Sequence, residues 1–189
     1  MEKIACITGA SSGIGRETAL VLAENGYKLI LCGRRKDSLE SLQKEISVDS
    51  TILIFDVRDL GQVQSSFASL SEDWKNIDVL INNAGNAHGL SPIQDGDVAD
   101  WDAMMHGNVN GLLYVSKSVI PFMIARKQGH IINISSIAGK QIYANGAVYC
   151  ASKAAVEVLS QGMRIDLNPF GIKVSNLAPG AVNTEFSAV

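Results

Sequence analysis

No apolar run in the chain reaches the roughly 20 residues that a membrane-spanning helix needs, so an integral membrane protein is not expected. Positive charge is not in surplus either. Sixteen Lys and Arg against 19 Asp and Glu leave a net charge of −3, which gives no electrostatic footprint for nucleic acid or an anionic lipid surface. Cysteine is scarce and odd in number: Cys6 and Cys32 lie inside apolar runs, as reduced thiols packed like small hydrophobes do. Neither the cysteines nor His88, His106 and His130 show metal-ligand spacing, so no metal is expected. There is no repeat and no low-complexity segment. Met1-Glu2-Lys3 leads straight into an apolar strand without the regions of a signal peptide, so the expected location is the cytoplasm.

What is present is an alternation. Five apolar runs, Ile4–Ile7, Leu29–Cys32, Ile52–Phe55, Val79–Ile81 and Ile131–Ile134, and a sixth strand at Ile172–Leu177 are separated by segments with helical spacing. Continuous apolar runs suit parallel strands covered on both faces. The pattern predicts an α/β fold: a Rossmann-type doubly wound parallel sheet with helices on both faces, in one domain over residues 1–189. Ligands in such sheets bind beyond the carboxyl ends of the strands, and every polar motif of the chain falls there.

The first strand ends in Thr8-Gly9-Ala10-Ser11-Ser12-Gly13-Ile14-Gly15 and a helix follows. A glycine-rich turn opening a helix aims free backbone N–H groups at a pyrophosphate, and its glycines let the backbone approach the ligand. The second strand ends in Gly33-Arg34-Arg35 rather than in the acid that would bind the 2′-hydroxyl of NAD; two guanidinium forks suit a 2′-phosphate, so NADP is the expected cofactor. Asp37 and Glu40 are expected to cap the next helix. Asp56-Val57 closes the third strand, where an acid could meet the adenine amino group. A long helix is expected from Trp101 to about Arg126, apolar on two faces, one for the core and one for a subunit contact.

Tyr149 and Lys153 stand four residues apart on the helix that follows the fifth strand, so they share one face. A neighbouring ammonium is expected to bring the tyrosine, whose free pKa is about 10, down toward the range of a general acid/base. Ser135-Ser136 lies just upstream.

Together these elements resemble the short-chain dehydrogenase/reductase family over essentially the whole chain. The matching motifs are Thr8 to Gly15, Asn82-Asn83-Ala84-Gly85, Asn108 to Gly111, Ser136, Tyr149 with Lys153, and Pro179-Gly180. The resemblance implies that Tyr149 is the general acid/base and that Lys153 lowers its pKa and holds the nicotinamide ribose. It also implies that Ser136 bonds the reacting oxygen and that Asn108 anchors a water behind Lys153. It assigns Gly9, Ser11, Ser12, Gly13, Ile14 and Gly15 to the phosphates. Asp56 and Val57 go to adenine, Asn83, Ala84 and Gly85 to the adenosine ribose, and Pro179, Gly180, Val182 and Thr184 to the nicotinamide side. Asn110 and the three histidines match no family role and are taken as ordinary polar residues.

Within the family, Gly33-Arg34-Arg35, Trp74 to Asp78, Gly129 to Ile134 and Thr184-Glu185-Phe186-Ser187 resemble the NADP-dependent 3-hydroxy acid dehydrogenases, which act on serine and allo-threonine. The activity this implies is hydride transfer between NADP and the 3-hydroxyl of a small hydroxy acid. A 3-oxoacyl thioester or general carbonyl reductase keeps the same chemistry with another substrate, and a non-catalytic NADP-binding sensor or scaffold is the alternative of another class. The family pattern also implies a homo-oligomer, a dimer or tetramer, and a substrate loop, short helix and seventh strand following Val189.

Overall fold

The computed structural model describes residues 2–184. Strands β1 (Ile4–Thr8), β2 (Lys28–Gly33), β3 (Ser50–Ile54), β4 (Ile77–Asn82), β5 (Gly129–Ile134) and β6 (Ile172–Leu177) form one parallel sheet. Its order is β3-β2-β1-β4-β5-β6. The chain winds outward from β1 to β3, then crosses back to place β4 on the other side of β1. That reversal leaves a crevice above the carboxyl ends of β1 and β4, where such folds bind ligands.

The helices are α1 (Gly13–Glu24), α2 (Lys36–Glu45), α3 (Leu60–Ala68), α4 (Val98–Met105), α5 (Gly111–Arg126) and α6 (Ala147–Leu167). Alternation along the strands sends Ala5, Ile7, Leu29 and Leu31 to one face, where they pack with Ala19, Leu39 and Leu42 of α1 and α2. Cys6, Ile30, Leu80 and Ile131 point the other way, onto Phe67 of α3 and Val115, Val119 and Met123 of α5. Cys6 and Cys32 are buried free thiols with their sulfurs 3.6 Å apart.

An amide row fixes the half of the sheet that carries the chemistry. Asn82, Asn133 and Asn176 are register neighbours on β4, β5 and β6. The Asn82 amide donates to Asn133 Oδ1 and to Ser116 Oγ of α5, both at 2.9 Å, and Asn133 Nδ2 donates to Ser160 Oγ of α6 at 2.9 Å. These bonds lock β4 and β5 against α5 and α6, although Asn82 Oδ1 is buried without a partner among the described residues.

The expected helix boundaries are corrected. The long helix begins at Val98, not Trp101, because Asp97 caps it by accepting from the Ala99 N–H at 2.8 Å. It is also not continuous: a π turn at His106–Asn110 separates α4 from α5. The second apolar face of α5 is partly covered within the chain, where Tyr114, Ile120, Phe122 and Ile124 are partly buried against the core. Large exposed apolar side chains lie elsewhere too, among them Val158 and Ile165 on α6, Val98 on α4, and Leu90, Ile93 and Ile142 on loops. Finally, α2 starts at Lys36 with Arg35 at the cap position, so Asp37 belongs to its first turn.

Candidate active site

One cavity of about 470 Å³ runs along the carboxyl ends of the strands. Its floor is the turn between β1 and α1. Gly9 has a φ of +66°, which only glycine adopts without strain. A Cβ on Gly15 would collide with the Gly9 carbonyl oxygen and the Asn83 amide, so glycine there lets α1 begin hard against the strands. Ser12, the residue before α1, makes no side-chain cap, and the first N–H groups of the helix are left for a ligand at its positive end.

At one end of the cavity two guanidiniums, Arg34 and Arg58, meet the Asp56 carboxylate, and a third, Arg35, lines the same end. Arg35 turns back on the glycine-rich turn, donating to Ser11 Oγ at 3.0 Å and Ser12 Oγ at 2.6 Å. Arg34 stands 3.7 Å from Asp56. Arg58 grips Asp56 through Nε at 3.0 Å and Nη2 at 2.6 Å, and its backbone N–H donates to Oδ1 at 3.0 Å. Burial works to raise the Asp56 carboxyl, but the bonds and charge of Arg58, with Arg34 adding, outweigh it and hold it below the usual carboxylate range. Positive charge is therefore in excess at this end.

The other end is built by β5 and α6. Ser135 Oγ donates to the Lys153 carbonyl at 3.0 Å and anchors α6 to the strand end. Ser136 caps a short 3₁₀ turn by accepting from the Ala138 N–H, and its hydroxyl also bonds the Tyr149 phenol. Lys153 is only 5% exposed; its Nζ donates to the Ile134 carbonyl at 3.0 Å and lies 5.9 Å from the centre of the Tyr149 ring. Burial lowers the Lys153 ammonium to about 8. Burial also raises Tyr149 above the ordinary tyrosine value, and the bond from Ser136 offsets only part of it. This corrects the expectation that Lys153 brings the phenol down. In this structure the ammonium is turned toward a carbonyl beneath the ring, and desolvation dominates both groups.

Asn108, 2% exposed, sits on the π turn behind the cavity wall. Its side chain accepts from the Asn86 N–H at 2.8 Å and donates to the Asn86 carbonyl at 2.9 Å and to Ser152 Oγ at 3.0 Å. A π turn in a helix commonly re-aims one side chain at a functional site, and here it staples the loop after β4 to α6.

A family model described as short chain dehydrogenase matches residues 3–189. The NADP-dependent 3-hydroxy acid dehydrogenase YdfG of Salmonella typhi is 43% identical over 187 residues, spanning 98% of this chain and 75% of that protein. The protein of the same name from Escherichia coli (strain K12) is 41% identical over the same shares. Among solved structures, the closed form of serine dehydrogenase complexed with NADP+ has a TM-score of 0.95 at 40% identity, covering 97% of this chain and 75% of that one. This chain belongs to the short-chain dehydrogenase family. It is thereby an oxidoreductase, and its fold is the Rossmann-like one of those neighbours.

Within this short-chain dehydrogenase the sequence-predicted residues Gly9, Ser11 to Ile14, Gly33 to Arg35, Asp56, Val57, Asn83 to Gly85, Ser136, Tyr149, Lys153, Pro179, Gly180, Val182 and Thr184 all line the one cavity. Gly15 and Asn108 do not; they shape its wall from behind. Glu185, Phe186 and Ser187 lie outside the described residues. Four polar residues that line the cavity were given no role from the sequence, Asn86 among them. Arg58 follows Asp56 by two positions, Ser135 precedes Ser136, and His88 follows Gly85 by three, on the loop after β4. Position at a strand's carboxyl end was the available signal for each.

Proposed function

We propose that the chain is an NADP(H)-dependent dehydrogenase that moves a hydride between the nicotinamide and the 3-hydroxyl carbon of a small 3-hydroxy acid or hydroxy amino acid. The observation that carries this reading is the pairing of the Ser136–Tyr149–Lys153 cluster, its lysine buried, at one end of the cavity with Arg34, Arg35 and Arg58 at the other. The names of the relatives, 3-hydroxy acid dehydrogenase and serine dehydrogenase, support the substrate class.

The residues fit such a cofactor. Gly9 to Gly15 leave backbone donors where side chains would fill the space, and Arg34 and Arg35 offer charge for a 2′-phosphate. Bound NADP supplies the hydride chemistry. The chain supplies position and the proton. Ser136 holds the reacting oxygen, and Tyr149 gives or takes its proton. Lys153, bearing its charge below a pH of about 8, stabilises the phenolate that forms. Asn108 holds the loop after β4 against α6, beside Lys153.

A cytoplasmic homo-oligomer fits the remaining features. Cys6, Cys32 and Cys150 are free and buried, as in a reducing compartment. On α6, Val158 and Ile165 are 67% and 76% exposed, an apolar surface suited to a second copy.

The test is the near-ultraviolet absorbance of reduced nicotinamide, followed with NADP or NAD and serine, allo-threonine or 3-hydroxybutyrate. Turnover with NADP and a hydroxy acid is expected. Turnover of uncharged alcohols alone, or with NAD alone, would contradict the reading.

A further inference from the structure

We propose that His88 binds the substrate carboxylate, making this enzyme select hydroxy acids, and oxo acids in the reverse direction, over uncharged alcohols and ketones of the same skeleton. The inference rests on the hydroxy-acid reading above and assigns it a residue.

Elimination and position both single out this histidine. In a 3-hydroxy acid the carboxylate is two carbons from the reacting carbon, so its binding group must stand within a side chain's length of Ser136 and Tyr149. The three arginines serve the opposite end. Arg34 and Arg35 follow β2 and Ser136 follows β5, three strand positions apart, which is about 14 Å at the usual spacing. Arg58, after β3, is farther still.

Among the described residues that line the reaction end, the side-chain amide donors are already engaged within the protein. Asn83 Nδ2 donates to the Thr8 carbonyl at 3.0 Å and Asn86 Nδ2 to the Ala103 carbonyl at 3.1 Å. Lys153 is sealed beneath the Tyr149 ring and bonded to the Ile134 carbonyl. His88 differs from all of these: it lines the cavity, and among the described residues it makes no hydrogen bond or ion pair. An imidazole is a donor in either charge state.

Its surroundings suit an anion's partner. His88 and Tyr149 together also border a small recess walled by Leu90, Ile93, Trp101 and Met104. The imidazole therefore stands at the boundary between the open cavity and an apolar corner. A hydrogen bond to a carboxylate at such a partly desolvated place is stronger than one in water. The loop that carries His88 is tied down two residues before it, at Asn86, whose backbone N–H and carbonyl are both held by Asn108.

The experiment compares 3-hydroxybutyrate with its methyl ester, which keeps the skeleton and removes the charge, in wild type, His88→Leu and His88→Gln. The readout is the ratio of kcat/KM for acid over ester within each protein, so a general loss of folded enzyme cancels. His88→Leu is expected to lower the ratio about 10- to 100-fold, the range for losing one hydrogen bond to a charged group, and to do so chiefly through the KM of the acid. His88→Gln, which keeps a donor, is expected to restore part of it. A ratio unchanged in His88→Leu, whatever the absolute rates, overturns the proposal. A wild type that oxidises the ester but never the acid refutes the hydroxy-acid reading itself, before any variant is made, and the role of His88 falls with it.

Discussion

Replacing Asn108 with alanine tests how the loop after β4 is held. The side chain makes three hydrogen bonds of 2.8, 2.9 and 3.0 Å from a site that is 2% exposed. Each such bond contributes about 1 kcal/mol net, and Asn108→Ala would leave the Asn86 N–H and carbonyl without partners, so a loss of about 3 kcal/mol is expected. For a chain of this size that corresponds to a fall in Tm of about 6–12 °C. Turnover should fall as well, because Asn86 and His88 then no longer stand in fixed positions above Tyr149. Asn108→Asp sharpens the test. One carboxylate oxygen can still accept from Asn86 N–H, but the other faces the Asn86 carbonyl with no proton to offer, so aspartate should rescue little. The assay is thermal unfolding by circular dichroism, with activity measured alongside. A Tm within about a degree of wild type for Asn108→Ala, or full rescue by aspartate, would refute the reasoning.

Lys153→Met should abolish turnover and yet leave the protein no less stable at neutral pH, because it removes a buried cation. The sign follows from the shift. The folded ammonium titrates at about 8, below the free lysine value of about 10.4. Between those values the unfolded chain binds more protons, so wild-type stability rises with pH. The Tm advantage of Lys153→Met should therefore shrink as pH is raised from below 8 toward 10; an advantage constant with pH would contradict the assignment. Arg34→Ala should weaken NADPH about tenfold or more while changing NADH little, read by nicotinamide fluorescence. Arg58→Ala should show the same preference at smaller size, about threefold, because it frees the Asp56 carboxylate next to the phosphate site. Equal losses for both cofactors would contradict either prediction.

Much of this was legible in the sequence because parallel strands buried on both faces have a one-letter signature. Ile4 to Ile7 and Leu29 to Cys32 are unbroken apolar runs, and the glycine-rich turn between them needs residues that few other structures need. Ile172–Leu177 is no such run, since Lys173 and Ser175 alternate with Ile172 and Val174, and it was legible from that alternation and from its bounds, Gly171 at φ +72° and Pro179. The π turn was not. Apolar residues recur through Met104, Met105, Leu112 and Leu113 at helical spacing, and the one extra residue that turns Asn108 inward does not disturb that pattern. Arg58 and His88 escaped because a single charged or polar residue on a loop carries no periodicity; only the topology shows that their loops meet at one cavity. Spacing placed Tyr149 and Lys153 on a common face but could not weigh burial against charge. That is why the tyrosine was expected below its ordinary value and is found above it. Asn133, flanked by Ile132 and Ile134, was visible as a polar residue inside an apolar run, yet its partners Asn82 and Ser160 lie 51 and 27 residues away.

The central claim is that Tyr149 carries the proton in a nicotinamide-dependent reaction. Tyr149→Phe removes one hydroxyl from a half-buried ring and leaves its packing in place. The measurement is NADP reduction with 3-hydroxybutyrate by this variant beside the wild type, together with NADPH binding by fluorescence. The rate is predicted to fall by about a hundredfold to ten-thousandfold with NADPH affinity nearly unchanged. A rate close to that of the wild type would contradict the claim.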